Sequence, residues 1–339
     1  MSHPPPEVAA PPPARGLRGI IVRGVNRLTG ARTSSIDYSA PPGDPGLFGP
    51  DAVCWKVHAD FTSMMAGGVS ALLLQALHPL ALAGVWDHST FRQDIHGRLG
   101  RTATFIAATT FGSRADALRL IEQVRTIHRR VQGVAPDGRP YAADDPALLR
   151  WVHVAEVSSF LAAYLRYVDP HLPQAARDRY FAETAQIAEA LGATDVPKCE
   201  SDITAYLASM RPELVASERS HAVVRILLDA APRYSLAWPI GKLLLNGGID
   251  LLPDWAQQML GLDRWMHVKR AIVRPGVRRI GALMRWALRN GVSRRARARV
   301  AAGAWSGAPT ALKPTTVPID ASTPATTAAS RQAPDQASR

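Results

Sequence analysis

The stretch RLGRTATFIAATTFGSRADALRLIEQVRTIHRRV, residues 98–131, predicts two consecutive helices. Ser113 begins the second helix, because a serine followed three positions later by an acidic residue, here Asp116, is a helix-start signal. An apolar stripe on that second helix ends at His128, and arginines occupy the other faces. We therefore expect a helical hairpin whose second helix turns an imidazole toward a neighbouring helix.

The first helix of this hairpin presents two polar groups and an aromatic ring on one face. Arg98, Thr102 and Phe105 follow one another at helical spacing. A guanidinium and a hydroxyl facing an imidazole are typical of a haem pocket, because iron takes a neutral imidazole as its axial ligand. A lone histidine on an apolar face is more often a hydrogen-bonded core residue. The pattern alone therefore leaves both interpretations of His128 open.

The bulk composition favours a helical protein with a substantial core. The chain has 339 residues, of which 47% are hydrophobic, and it is rich in Ala, Leu and Arg. Its two cysteines, Cys54 and Cys199, are too few for iron–sulfur clusters or a four-cysteine zinc site and fit a reducing cytoplasm. The proline-rich start lacks the apolar segment of a secretory signal. We expect a cytoplasmic protein with one helical domain at 17–300 between disordered tails at 1–16 and 301–339.

The net charge of +12 is concentrated near the C-terminus. From Arg264 to Val300 there are twelve Lys and Arg residues and no Asp or Glu, which equals the whole net excess. The segment RRIGALMRWALRN has one apolar face and arginines elsewhere, so it either packs on the domain or lies on an anionic membrane. In the second case residues 277–299 would make a peripheral contact with the inner face of the membrane. No motif indicates nucleic-acid binding.

The run from Phe61 to Trp86 is the most apolar part of the chain and approaches the length of a membrane span. Gln75, His78 and Pro79 in its middle instead predict a buried helix that breaks at His78, because proline disfavours helix at the preceding residue. Two interpretations of His78 remain open. Its ring either hydrogen-bonds the backbone freed by Pro79 or contributes to a pocket.

Another buried helix is predicted from Asp145 to Tyr167, where apolar residues occur almost all round. His153 and Glu156 are three residues apart and so share a face of this helix. A buried carboxylate is either paired or has a raised pKa, and a raised pKa is how a general base is made. Glu156 is therefore a candidate acid/base residue, or it pairs with His153 or Arg98 for structural reasons.

The segment from about Pro45 to Asp169 resembles the catalytic domain shared by rubber oxygenases (latex clearing proteins) and the ER-bound oxygenase of mycophenolic acid biosynthesis. The matching pieces are GLFGPDAVCWKVHAD, LLLQALHPLALAG, the run RLGRT, the Ile-His of TIHRRVQG, and YAADDPALLRWVHVAEVSSFLAAY. The resemblance implies an all-helical, globin-like core at about residues 45–169 that binds haem b, followed by extra C-terminal helices.

Rubber oxygenases carry an Arg-x-x-Lys-Thr motif that is followed by the proximal histidine. By position, Arg98 and Thr102 match the motif, and His128 matches the proximal iron ligand after a slightly shorter interval. Arg101 replaces the lysine that can act as a reversible distal ligand. A guanidinium offers no lone pair, so the resemblance implies a five-coordinate or water-bound haem here.

The acid/base glutamate of rubber oxygenases lies upstream of their motif, where this chain has no glutamate. Glu156 and His78 are candidate substitutes, and His153 and Phe105 are candidate haem neighbours. Arg98 and Thr102 would donate hydrogen bonds to bound oxygen or to the haem propionates. Apolar side chains would wall a substrate pocket, namely Leu73, Leu77, Phe105 and Phe111.

The leading hypothesis is therefore a haem b-dependent oxygenase that uses O2 to cleave a C=C bond of a hydrophobic small molecule, such as an isoprenoid or a lipid. The alternative is a non-catalytic haem- or lipid-binding helical protein at the membrane surface. A third hypothesis is a helical scaffold in which His128 is a core residue. A carboxylate-bridged di-iron site is not indicated, because the chain lacks paired Glu-x-x-His motifs.

Overall fold

The computed structural model describes residues 16–28, 36–230, 238–264 and 266–303. Within these residues the chain forms fourteen α-helices, two short 3-10 helices and one β-hairpin. The helices and strands are α1 (Gly16–Leu28), α2 (Val53–His58), α3 (Phe61–Gln75), α4 (Pro79–His88), α5 (Ile95–Phe111), α6 (Arg114–His128), β1 (Gln132–Val134), β2 (Pro140–Ala142), α7 (Pro146–Tyr167), α8 (Gln174–Leu191), α9 (Glu200–Met210), α10 (Glu218–Asp229), α11 (Trp238–Leu251), α12 (Asp254–Met259), α13 (Met266–Ala287) and α14 (Val292–Ala301). The predicted all-α class is confirmed. Most of the two predicted tails lies outside the described residues.

Helices α3 and α7 form the centre of the fold. They pack most closely at Gly67, where a Cβ atom would lie only 2.9 Å from Cδ1 of Phe160 and 3.0 Å from its Cα. Only glycine allows this backbone approach, because a real side chain would force the two helices apart. Helix α11 packs against α3. Helix α7 is also in contact with α4, α8, α9 and α13. This arrangement buries most of α7, as its sequence predicts.

The predicted break in the apolar run is confirmed. Helix α3 ends at Gln75, and α4 begins at Pro79 with His78 as its N-cap. Among the described helices none alone is long and apolar enough to cross a bilayer. The pair α3 and α4 reaches that length and composition, but its two members meet at 106°.

Helices α5 and α6 form the predicted hairpin. The Ser113 side chain accepts a hydrogen bond from the Asp116 amide at 3.1 Å, which confirms the predicted cap. Helix α5 begins earlier than predicted, at Ile95, because Asp94 caps it. The hairpin packs on α2, α8 and α14 but makes no extensive backbone contact with α3 or α7 within the described chain. Because these contacts are few, we infer a cleft between the hairpin and the central pair.

The basic segment 277–299 is divided between two helices rather than forming one. Helix α13 ends at Ala287, and α14 begins at Val292. Several of its arginines turn inward: Arg285 pairs with Asp60 at 2.7 Å, and Arg299 is buried with its Nε donating to the Asp44 carbonyl at 2.9 Å. These contacts fasten the C-terminal helices to the domain.

Candidate active site

One face of α7 borders the cleft. Val152 is 36% exposed and Glu156 is half-buried, although Trp151, Val154 and Ala155 beside them are fully enclosed. Helices α3, α4, α8, α9, α11 and α13 cover the other sides of α7. Helix α2 also contacts α7, and we infer that the open face is turned toward the α5–α6 hairpin.

Glu156 is the acidic group of this cleft. Burial raises its pKa to about 7. Neither of its oxygens has a hydrogen-bond partner among the described residues, and neither oxygen is enclosed. The structural pairing with His153 or Arg98, which the sequence left open, is not found among these residues. A carboxylate that is desolvated but still reachable lines an internal space and can exchange a proton near neutral pH.

His128 ends α6 on the side of the hairpin that also carries Arg98. The two helices run antiparallel from the turn at Gly112, and Arg98 and His128 are about equally far from that turn along the chain. Nδ1 of His128 is enclosed without a partner, whereas Nε2 is not enclosed and also makes no hydrogen bond among the described residues. Burial lowers the pKa of the ring, an effect that the Asp144 carboxylate opposes. A neutral imidazole with a free, reachable nitrogen is what a metal ligand requires.

Arg98 is half-buried in the first turn of α5 and has no carboxylate partner among the described residues. Its Nη1 donates to the Ser89 hydroxyl at 2.9 Å, and it forms no ion pair within the described residues. Burial lowers the pKa of the guanidinium, and the nearby Arg101 lowers it further. A guanidinium has five N–H donors, so Arg98 has donors to spare for an anion.

The neighbours of Arg98 differ in exposure. Arg101 and Thr102 are exposed, and Phe105 is half-buried. The Thr102 hydroxyl donates to the Arg98 carbonyl at 3.2 Å. These residues share the first half of α5, as the sequence predicts, with Arg101 and Thr102 toward the outside.

His153 is buried on α7 with its Nε2 enclosed and unpaired, and burial lowers its pKa to about 4. His78 has a different position. Its Nδ1 accepts from the Ala81 amide at 3.4 Å, and its ring centroid lies 5.8 Å from that of Trp151. His78 therefore caps α4, while His153 stays a candidate neighbour of a ligand in the cleft.

Three of the expected wall residues do not border the cleft. Leu73 and Leu77 are enclosed in a core that includes Leu245 of α11. Phe111 packs edge-to-face on Trp55 at 5.3 Å in another core. Complete burial leaves these side chains no surface to offer a substrate.

A buried polar group that the sequence analysis missed lies at the far end of α5. Nδ1 of His58 lies 2.9 Å from the Thr110 hydroxyl, and its Nε2 lies 3.0 Å from the Tyr180 hydroxyl. Burial lowers the pKa of His58 to about 3, so the ring is neutral. We call these three residues the His58 cluster. Its only sequence signal was the position of His58 within the segment WKVHAD, because its partners are remote in sequence.

The residues of the cleft suit a haem better than a bare metal ion. No group of three or more His, Cys, Asp or Glu side chains in the described parts of the chain is arranged to hold an ion. Haem brings its own four nitrogen ligands and needs one protein ligand, which the free Nε2 of His128 offers. The unpaired Arg98 suits the carboxylates of the haem propionates.

The comparisons with known proteins indicate an oxygenase. Residues 55–286, about two thirds of the chain, match the family model described as ER-bound oxygenase mpaB/B'/Rubber oxygenase, catalytic domain. The match extends well past Asp169 and includes every candidate residue. No curated protein and no solved structure matches the chain. Oxygenases combine O2 with a small-molecule substrate, and this chain belongs to the oxygenase family formed by the mpaB and rubber oxygenase catalytic domains.

Proposed function

We propose that this chain is a haem b-dependent oxygenase that cleaves a C=C bond of a hydrophobic substrate, such as an isoprenoid or another lipid. One observation carries the proposal: Arg98, His128 and Glu156 are each partly withdrawn from water, and none has a charged partner among the described residues. Desolvated polar groups without partners lower stability. A ligand that pairs with all three is the explanation that we adopt for them.

His128 would hold the iron through Nε2. Its lowered pKa keeps the ring neutral at pH 7, so the lone pair is available. Nδ1 is enclosed and Nε2 is not, which supports Nε2 as the ligating atom. Bound haem would supply the reaction with O2 that protein side chains cannot perform.

Arg98 and Thr102 would position the haem and O2. The half-buried guanidinium of Arg98 has N–H donors that make no hydrogen bond among the described residues. Thr102 lies one turn further along α5. Arg101 lies at the exposed rim, where its charge would attract the haem propionates. Because guanidinium lacks a lone pair, Arg101 would not itself bind iron.

Glu156 would act as the acid/base group. A carboxyl group with a pKa of about 7 takes up and returns a proton with similar ease at neutral pH. In the overall reaction one alkene and one O2 give two carbonyl compounds. Both bonds of the carbon–carbon double bond break, each carbon receives one oxygen atom, the alkene carbons are oxidised, O2 is reduced, and no net proton is consumed. Any proton that Glu156 removes from the substrate must therefore be returned within the same turnover.

The apolar parts of the cleft support a hydrophobic substrate. Phe105 and Val152 offer carbon surface beside the polar groups.

Cys54 and Cys199 are both free thiols, which supports the proposed cytoplasmic location. Two further histidines would support the site. His78 would do so through its ring contact with Trp151, and the ring of His153 would lie beside the haem.

The test is turnover by the full chain loaded with haem b. With squalene as an isoprenoid alkene, we expect O2 uptake in an oxygen electrode and carbonyl fragments by mass spectrometry, in a ratio of one O2 to each bond cleaved. Oleate serves as a second alkene and squalane, the saturated analogue, as the matched control. Haem-loaded protein that consumes no O2 with either alkene contradicts the enzyme and favours the alternative, a non-catalytic haem- or lipid-binding protein. Glu156 argues against that alternative, since simple binding does not need an unpaired carboxyl group.

A further inference from the structure

The outer face of α13 carries large apolar side chains that no described part of the chain covers. Ile272 is 70% exposed, Trp286 is 45% exposed, and Val268 and Leu283 lie on the same side of the helix. In chain order these four residues are separated by four, eleven and three positions, which places them along one side of a helix. Large exposed apolar stripes on a folded domain mark interaction surfaces.

This stripe is not a misplaced part of the core. The opposite side of α13 packs on α3, α7 and α11 and buries Val273, Val277 and Met284. The helix thus has two apolar faces, and only the inner one packs against other described parts of the domain.

Helix α1 extends the stripe. It packs beside α13, and the Arg18 guanidinium donates to the Ala287 carbonyl at 3.0 Å. Ile20 on α1 is 61% exposed. We call the exposed stripe of α13 together with Ile20 the α1–α13 face.

The α1–α13 face is cationic. Neither α1 nor α13 contains an Asp or Glu. Arg270 and Arg274 turn inward to Asp250, at 2.9 and 2.8 Å. Lys269 and Arg279, by contrast, are exposed and form no ion pair among the described residues. The charges that remain free are therefore positive and lie next to the apolar stripe.

We propose that the α1–α13 face docks on an anionic phospholipid bilayer. Apolar side chains bordered by free cations, with no carboxylate in either helix, suit a negatively charged surface with an apolar interior. Trp286 lies near the end of the stripe, where an indole can sit among lipid headgroups. This face overlaps the predicted contact at 277–299 through Arg279, Leu283 and Trp286, but it does not include Arg299 of α14, which is buried.

Docking would also serve the cleft, a consequence that rests on the proposed function. Helix α1 contacts α5, the helix that carries Arg98. A bilayer bound at the α1–α13 face would then lie close to the hairpin that borders the cleft. Hydrophobic substrate could pass from lipid to protein without crossing bulk water.

The test is co-sedimentation of the full chain with phosphatidylcholine vesicles that do or do not contain phosphatidylglycerol. We expect binding to the anionic vesicles that weakens as salt is added, because exposed charges are screened. The double variant Ile272→Asp/Trp286→Asp should bind at least tenfold more weakly. The matched control is Val134→Asp, which changes an equally exposed apolar residue on β1 and should bind as the wild type does. Circular dichroism confirms that each variant is folded.

Equal binding by the wild type and the double variant overturns the proposal, as does equal binding to vesicles with and without phosphatidylglycerol. A concentration-dependent dimer that forms without vesicles and is lost in the double variant would assign the face to a second copy of the chain instead. Haem-free protein should bind vesicles as well as haem-loaded protein. Failure of the oxygenase proposal and failure of the docking proposal are thereby distinguished.

Discussion

The His58 cluster and the cleft both hold polar side chains away from bulk water, but they satisfy them differently. Both ring nitrogens of His58 have a hydroxyl within hydrogen-bond distance. In the cleft, His128 and Glu156 have no partner within the described residues, and Arg98 has only Ser89. Desolvated groups with partners stabilise a fold, whereas those without partners lower its stability. The first set is therefore structural, and we interpret the second as kept for a ligand.

The largest expected effect is a difference in the free energy of unfolding between variants of two histidines, His58 and His128. His58→Phe keeps a ring but leaves the Thr110 and Tyr180 hydroxyls unsatisfied, so the free energy of unfolding should fall by about 3 kcal/mol. His128→Phe in the haem-free protein removes a ring that makes no hydrogen bond and should change that free energy by less than about 1 kcal/mol. Urea unfolding followed by circular dichroism measures both. Equal losses in the two variants would erase the distinction between cluster and cleft.

The next prediction compares two carboxylates. Glu156→Gln should lower turnover about 100-fold while leaving the haem absorption spectrum unchanged, because the amide cannot exchange the proton. Glu183 is the matched control: its carboxylate accepts from the amides of Val53 and Cys54, at 3.1 and 2.8 Å, and so serves the start of α2. Glu183→Gln should lower stability and leave turnover per folded molecule within about twofold. Steady-state O2 uptake together with urea unfolding gives both readouts.

The pH dependence of stability should carry the sign of an unpaired buried acid. The pKa of Glu156 is raised from 4.5 to about 7, so between these values the folded chain holds a proton that the unfolded chain has lost. Stability from this group is complete below about pH 4.5 and is lost as the pH rises through about 7. Between about pH 5 and about pH 7 the haem-free wild type should lose about 2 kcal/mol more than Glu156→Gln. Parallel pH curves for the two proteins would contradict the raised pKa.

The smallest effect concerns the guanidinium. Arg98→Gln removes a desolvated cation from the site proposed for the propionates and should weaken haem binding about tenfold. Arg101→Gln, nearer the solvent, should weaken it by less than about threefold, since exposed charges are screened. Haem titration monitored by absorbance compares the two variants. A larger loss for Arg101→Gln would place the anion site at the rim.

Local chemistry made much of the fold predictable. The break at His78, the cap at Ser113 and the helix start at Asp145 depend on residues close in sequence, and each is confirmed. The hairpin of β1 and β2 was not predicted, because its two three-residue strands are too short to leave a pattern in the sequence.

The residue types of the site could be predicted from the sequence. Which of their side chains have hydrogen-bond or ion-pair partners could not. Motif spacing placed Arg98 and Thr102 on one helix and His128 on the next, and the hairpin brings them to the same end. Whether Glu156 has a partner depends on how separate helices pack, which the sequence did not reveal. The His58 cluster was missed for the same reason, because its members come from α2, α5 and α8.

The most direct test of the central claim is a haem titration of three proteins: wild type, His128→Ala and His153→Ala. Both histidines have an unpaired ring nitrogen, but only His128 has a reachable Nε2. The wild type and His153→Ala should bind haem and show a Soret band, and His128→Ala should lose that band. A Soret band of the same position and affinity in His128→Ala would contradict the assigned iron ligand and the oxygenase proposal built on it.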